Sequence, residues 1–296
     1  MRPTARQLWV LVLLTLVWGL NWPVLKLGVS GSNLHPETYA PLTFRALCMV
    51  LSLPVLGGAL LWLKVPIRVA RDQWPEIARL SVPNMIVWHI VIILAVQSLS
   101  SGRAAILGYT TPIFSALWGV AVFGDRLTLR QTLGVLAAAL GVGLLLAHEF
   151  SNIAGSPLAA CAVLFAACLW AYGTHQLRRS PTTVPILAVV FWMTTITAVV
   201  MSLLALVFEA SKWRWPPDHV WGAIAYNAIG VFGFAHAAWF YLARTMPPVA
   251  STISVMLIPV LGTFSGAWWL GEALHWQDFA AMGLMVVAIG AVLFKR

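Results

Sequence analysis

Apolar runs of about 20 residues, separated by short polar breaks, follow one another along nearly the whole chain. A helix crossing a bilayer needs about 20 mostly apolar residues, so each run predicts a span. The pattern predicts ten, at roughly 8–29, 37–62, 74–97, 102–123, 127–147, 156–177, 184–208, 219–243, 248–270 and 275–294. Connections are short; the longest lie around Lys64–Gln73 and Glu209–Asp218, so no separate globular domain is expected. The first run follows Arg2 and Arg6 but is too long for the apolar core of a signal peptide and lacks a small-residue cleavage site. It is expected to stay as the first span. The predicted fold is an all-α polytopic membrane protein.

A second regularity lies over the first. The stretch Pro112–Leu146, PIFSALWGVAVFGDRLTLRQTLGVLAAALGVGLLL, returns as Pro259–Leu293, PVLGTFSGAWWLGEALHWQDFAAMGLMVVAIGAVL. At a constant shift of 147, Pro112 meets Pro259, Gly119 meets Gly266 and Gly124 meets Gly271. Asp125 meets Glu272, Leu127 meets Leu274, Gly143 meets Gly290 and Leu146 meets Leu293 at the same shift. Each copy reads as helix, turn glycine, acidic residue, helix. Gly124 is suited to end the first helix, and Asp125 is expected to cap the next. The start of the chain repeats too: Val17–Lys26 (VWGLNWPVLK) matches Leu169–Arg178 (LWAYGTHQLR) at a shift of 152.

We therefore expect two five-helix repeats, 1–148 and 149–296. Five is odd, so the second repeat must enter the membrane from the opposite face. Inverted repeats of this kind are the plan of many secondary transporters, with a central cavity between the halves near the midplane.

Composition sharpens this. The chain of 296 residues is 60% hydrophobic and 9% charged, against about a quarter charged in soluble domains. Its net charge of +9 is spread over short turns rather than gathered on a face, which argues against nucleic acid as a partner. Counted by loop with the N-terminus inside, thirteen Lys and Arg fall on the cytoplasmic side and five (Lys26, Arg45, Arg103, Lys212, Arg214) on the other. That bias predicts both termini in the cytoplasm. Cys48, Cys161 and Cys168 lie inside apolar segments and suggest neither a disulfide framework nor a metal site.

The WG-x-N stretch of span one (Trp18 to Asn21), the Phe44–Arg45 pair of span two, and the twice-present Pro, turn-Gly-acid and Gly-bearing helix resemble the EamA family of the drug/metabolite transporter superfamily. The resemblance covers essentially the whole chain. Within that family the chain looks most similar to YddG-type exporters of aromatic and other neutral amino acids. The resemblance implies a bacterial inner-membrane exporter, not an enzyme, with small amino acids and the lipid bilayer as partners, no cofactor, and a monomer or weak homodimer as the unit. The repeats depart from each other where Gly173 and Thr174 replace Asn21 and Trp22, and where Trp192 stands at the position matching Arg45.

Polar groups at membrane depth need a reason, since a charge there costs about 2.5–3.5 kcal/mol on insertion scales. His89 and His236 are 147 residues apart and so occupy equivalent positions. They read either as a pair lining the cavity or as neutral side chains satisfied by neighbouring helices. Arg45 either meets a substrate carboxylate, caps carbonyls or pairs with Glu37. His175 is a gate or an interface residue. Pro23, Pro83, Pro112 and Pro259 are expected to break helices beside the site. The expected cavity border is Asn21, Trp22, His89, Tyr109, Trp170, His236 and Ser254. No acidic residue falls mid-span, which disfavours a cation-drug antiporter, and Arg45 alone is a deep cation, which disfavours a sugar-phosphate carrier. An intramembrane enzyme would need a catalytic constellation that no spacing here supplies, so no catalytic or metal residue is expected. Export of other small metabolites or drugs, with proton coupling through a histidine, is the alternative.

Overall fold

The computed structural model describes residues 5–30, 37–124, 126, 128–151, 156–245 and 257–293. Ser254, Asp125 and Leu127, named above, lie outside them. The described residues are helical almost throughout. We label the helical stretches α1 (Ala5–Ser30), α2 (Pro41–Trp62), α3 (Arg71–Ala95), α4 (Ser101–Val122), α5 (Leu129–Ser151), α6 (Pro157–Arg179), α7 (Ile186–Glu209), α8 (Asp218–Ala243), α9 (Leu257–Leu270) and α10 (Trp276–Leu293). Among the described residues, seven helices are long and apolar enough to cross a membrane; Thr132–Leu145, Leu257–Leu270 and Trp276–Ala288 are shorter apolar helices.

The turn glycines behave alike. Gly124 has φ of 72° and Gly271 has φ of 66°, the left-handed conformation that a side chain disfavours and that ends a helix. The acidic residue after the second turn does something other than cap its own helix. Glu272 reaches α4 instead, accepting hydrogen bonds from Ser101 N at 2.8 Å and Ser101 Oγ at 2.6 Å. The start of α10 is held by Asp278, whose carboxylate accepts from His275 N at 2.8 Å. Glu209, at the end of α7, likewise caps α2: it accepts from Leu42 N at 3.0 Å, Thr43 N at 2.7 Å and Thr43 Oγ1 at 2.8 Å. The carboxylates sit where free N–H groups and the positive helix end want an anion.

Packing follows the repeat. α1 lies on α9 as α6 lies on α4; α3 lies on α6 as α8 lies on α1; α2 pairs with α7 and α5 with α10. Raising every helix number by five, cyclically, maps this pattern onto itself. The matched helices α4 and α9 run in opposite directions. A Cβ built on Gly102 would lie 2.9 Å from Thr263 Cα, one on Gly262 would lie 2.9 Å from Ala105, and one on Gly266 would meet Ser101 and Glu272. Residue numbers rise along one helix as they fall along the other. Glycine at each crossing lets the backbones meet.

The four prolines act differently. Pro83 falls in a wide π-turn, Val82–Ile86. Pro112 follows a true interruption of α4 at Tyr109 and Thr110, between Ser101–Gly108 and Thr111–Phe123. Pro259 sits in the first turn of α9 as described. Pro23 does not break α1, which runs unbroken from Ala5 to Ser30. One missing N–H costs one backbone bond, and tight contacts on either side hold the helix: Gly19 abuts Leu261, and Gly28 abuts Phe44.

Candidate functional site

A hollow lies where α1, α2, α3, α4, α6 and α8 converge. Its empty space, open mouth included, is about 710 Å³. The wall comprises Trp18, Asn21, Trp22 and Leu25 of α1, Arg45 of α2, Trp88, His89 and Ile92 of α3, Gly108, Tyr109, Thr111 and Pro112 of α4, Trp170 of α6, and Val231, His236 and Trp239 of α8. Asn21, Trp22, His89, Tyr109, Trp170 and His236, singled out from sequence, thus share one cavity, and Arg45 joins them. His175 does not line it: its Nε2 lies 2.8 Å from Ser115 Oγ and 2.9 Å from Ser115 O, tying α6 to α4.

Helix irregularity builds the wall. The wide turn Val82–Ile86 precedes Trp88 and His89. A longer π-helical run, Tyr226–Ala235, ends immediately before His236. In its i−5 geometry Val231 O accepts the backbone N–H of His236, and His236 Nδ1 lies 2.9 Å from the same oxygen. Gly230 stands in α8 at the position matching Pro83, so the sequence held no proline signal for this second wide turn.

The side chains form an aromatic cage with a polar floor. Trp18 meets His236 and Trp239 at ring separations of 5.6 Å each, and Trp88 meets Trp170 at 4.8 Å. The two histidines face each other, ring centroids 5.1 Å apart, and both contact Phe232 at 4.9 and 5.0 Å. Several buried polar atoms have no protein partner: Asn21 Oδ1, Arg45 Nε, both ring nitrogens of His89, His236 Nε2 and Trp239 Nε1. Each is a group that burial penalises until something bonds it.

Arg45 is 1% exposed. Its Nη1 donates to Asn227 Oδ1 at 3.3 Å, and its guanidinium lies over the Phe232 ring, 5.6 Å from the centroid. Glu37 does not pair with it; Glu37 pairs with Arg214 at 3.6 Å. Lys26 reaches the end of its helix, where it lies 3.9 Å from Glu272 and donates to Leu99 O. Beside them Arg103 Nε meets Asp278 Oδ1 at 3.0 Å. These contacts, with the Gly102–Thr263 crossing, tie the start of α4 to α9 and α10, and α1 to the turn before α10.

Trp18, Trp88 and Trp239 of the cage were missed by sequence reasoning. Trp239 has Ile92 as its matched residue, itself on the wall, a register signal open to use.

The profile of the EamA-like transporter family matches residues 6–147 and again residues 157–294. The chain belongs to the EamA-like transporter family. Its relatives include an uncharacterized inner membrane transporter, YedA, of Escherichia coli K12, 25% identical over 288 residues, covering 96% of this chain and 89% of the relative. The uncharacterized transporter YoaV of Bacillus subtilis is 22% identical over 262 residues, covering 88% and 86%. A probable terminal-alkyne amino-acid exporter of Streptantibioticus cattleyicolor is 22% identical over 295 residues, covering 99% and 94%. A solved crystal structure superposes with a TM-score of 0.70 at 22% identity, over 95% of this chain and 96% of that one, which carries the fold alone.

Proposed function

We propose that this EamA-family protein exports amino acids, aromatic and other neutral ones, across a bacterial inner membrane by alternating access. It does so with ten spans in two inverted repeats, 1–148 and 149–296, and with both termini in the cytoplasm. The unit is one chain or a weak homodimer.

The observation that carries this reading is a cavity walled by both halves: Trp18, Asn21, Arg45 and His89 from the first, Trp170, His236 and Trp239 from the second. A site between halves can open to either side when one rocks against the other. The opposed directions of α4 and α9 support the inversion. The Lys26–Glu272 and Arg103–Asp278 contacts fall on the outward side of the proposed topology and support a state shut to the outside. The aromatic cage suits an apolar side chain and an ammonium group. The relative named as a probable amino-acid exporter supports the substrate class.

Counterflow in proteoliposomes tests it. Labelled amino acid should enter only vesicles preloaded with unlabelled amino acid. Absence of exchange across an amino-acid panel, with exchange of another metabolite or drug, would refute the substrate class. The facing imidazoles of His89 and His236, with three unpartnered nitrogens between them, favour a second reading in which export is proton-coupled. An imposed pH gradient would then drive uptake against a substrate gradient; an unresponsive protein is a uniporter.

A further inference from the structure

We propose that Arg45 anchors a carboxylate of the substrate, so that the cavity selects monocarboxylates, free amino acids among them, over amines and over substrates with a blocked acid group. This deepens the transport reading and rests on it.

The inference starts from charge. A guanidinium carries five donors and keeps its proton in any protein environment. Arg45 is 1% exposed and sits on the cavity wall. One protein hydrogen bond, to a neutral amide, is made, and Nε is left bare. Among the described residues no carboxylate pairs with it. The acids at the helix ends are spoken for: Glu209 caps α2, Glu272 caps α4 and Asp278 pairs with Arg103. Nor does the side chain reach water in the manner of Lys26. A buried cation without its counter-ion is costly, and a bound anion would remove that cost.

Geometry narrows the anion. Arginine binds planar carboxylates through two parallel N–H···O bonds. With one full positive charge on the wall, a simple monocarboxylate leaves the cavity neutral, and a zwitterionic amino acid leaves the total charge unchanged while giving the guanidinium its anion. A phosphate ester or a dicarboxylate would leave a second negative charge buried and unpaired. A simple amine would add a second positive charge beside the first. An amino acid brings its own anion, and its ammonium is then free to use Asn21 Oδ1, His89 and the tryptophan faces. Asn227 acts as a positioning residue. Its Nδ2 donates to Ala223 O at 3.0 Å, which aims Oδ1 at Arg45.

The test is a matched ligand series on the whole purified protein. Phenylalanine, 3-phenylpropionate, phenylalaninamide, phenethylamine and phenyl phosphate compete for labelled phenylalanine in counterflow, and bind in detergent as read by tryptophan fluorescence. The two acids should outcompete the amide and the amine by at least about tenfold. In Arg45→Gln, affinity for 3-phenylpropionate should fall at least about tenfold while that for the amide does not fall; a packing role alone would lower both together. Arg45→Lys should keep part of the acid preference, and if Arg45→Gln fails to fold, this variant and the wild-type series decide. Equal competition by acid and amide in the wild-type protein overturns the anchor and leaves transport standing. Preference for phenyl phosphate overturns it as well, as does failure to bind either acid. Acid-selective binding without counterflow supports the anchor and overturns the transport reading.

Discussion

Removing the Glu209 carboxylate should destabilise the protein far more than its place at a helix end suggests. Its side chain is 5% exposed and accepts three hydrogen bonds, at 2.7, 2.8 and 3.0 Å, all from the first turn of α2. Ala40, at the N-cap position of that helix, offers no side-chain bond, so Glu209 supplies the cap. Hydrogen bonds to a charged group are worth about 1.5–3 kcal/mol each, and lost caps cost about 0.5–2 kcal/mol. The three bonds share one acceptor group, and Thr43 Oγ1 is free to turn to another carbonyl. Two N–H groups are left stranded. We therefore expect Glu209→Ala to cost about 2–4 kcal/mol, and Glu209→Gln about half of that, since an amide oxygen still accepts from one N–H.

The assay is thermal melting in detergent, read by size-exclusion of heated samples. At about 2–4 °C per kcal/mol, Glu209→Ala should lower Tm by about 4–16 °C. Glu37→Ala is the control. Its carboxylate, 59% exposed and 3.6 Å from Arg214, belongs to a surface pair worth about 0–1 kcal/mol. If both variants melt together, the cap is not holding α2 and the reasoning fails.

Three further outcomes follow from the contacts between helices. Asp278→Asn breaks the buried pair with Arg103, whose side chains are 5% and 11% exposed, and should cost about 3–5 kcal/mol in the same melting assay. Glu272→Gln should destabilise more than Lys26→Met, because Glu272 also caps α4 through Ser101 whereas Lys26 lies 3.9 Å away; the reverse order would show the ion pair, not the cap, to be what matters. Gly102→Val would press on Thr263 Cα and should cost about 1–3 kcal/mol, with Gly58→Val, where a Cβ would meet nothing within 4 Å, as the unaffected comparison.

Seven of the predicted spans were legible as long apolar helices among the described residues, because bilayer thickness forces long apolar runs. The turn glycines were legible because a left-handed residue tolerates little but glycine, and two of them 147 residues apart took up the same conformation. His89 and His236 were found through register, and they do meet. Trp18, Trp88 and Trp239 were hidden by abundance: among 16, membrane-interface and cavity tryptophans look alike from sequence. The partners of the acids were out of reach for a different reason. Glu209 and Glu272 sit at helix ends, as expected, but their partners are 166–171 residues away, and no local pattern records a cap delivered from the other half of the chain. The wide turn of α8 had no proline to announce it.

The repeat explains the scaffold, and its violations explain the chemistry. Where the halves agree, they share structure: turn glycines, opposed helices, paired histidines. Where they differ, polar character is concentrated on one side. Arg45 of α2 has Trp192 as its counterpart in α7, and Trp192 turns away to donate to Ile67 O at 2.8 Å. Asn227, whose match at the shift of 147 is Leu80, accepts from the guanidinium. Asn21 has Gly173 opposite, where a Cβ would come within 2.7 Å of Asn84 Nδ2, so Asn84 takes up the room that a second Asn21 would need. A symmetric cavity would offer a substrate two equivalent orientations. One guanidinium, on one side, removes that degeneracy. On the proposal that Arg45 holds a carboxylate, an asymmetric molecule with one acid group would have a single best pose in the cavity.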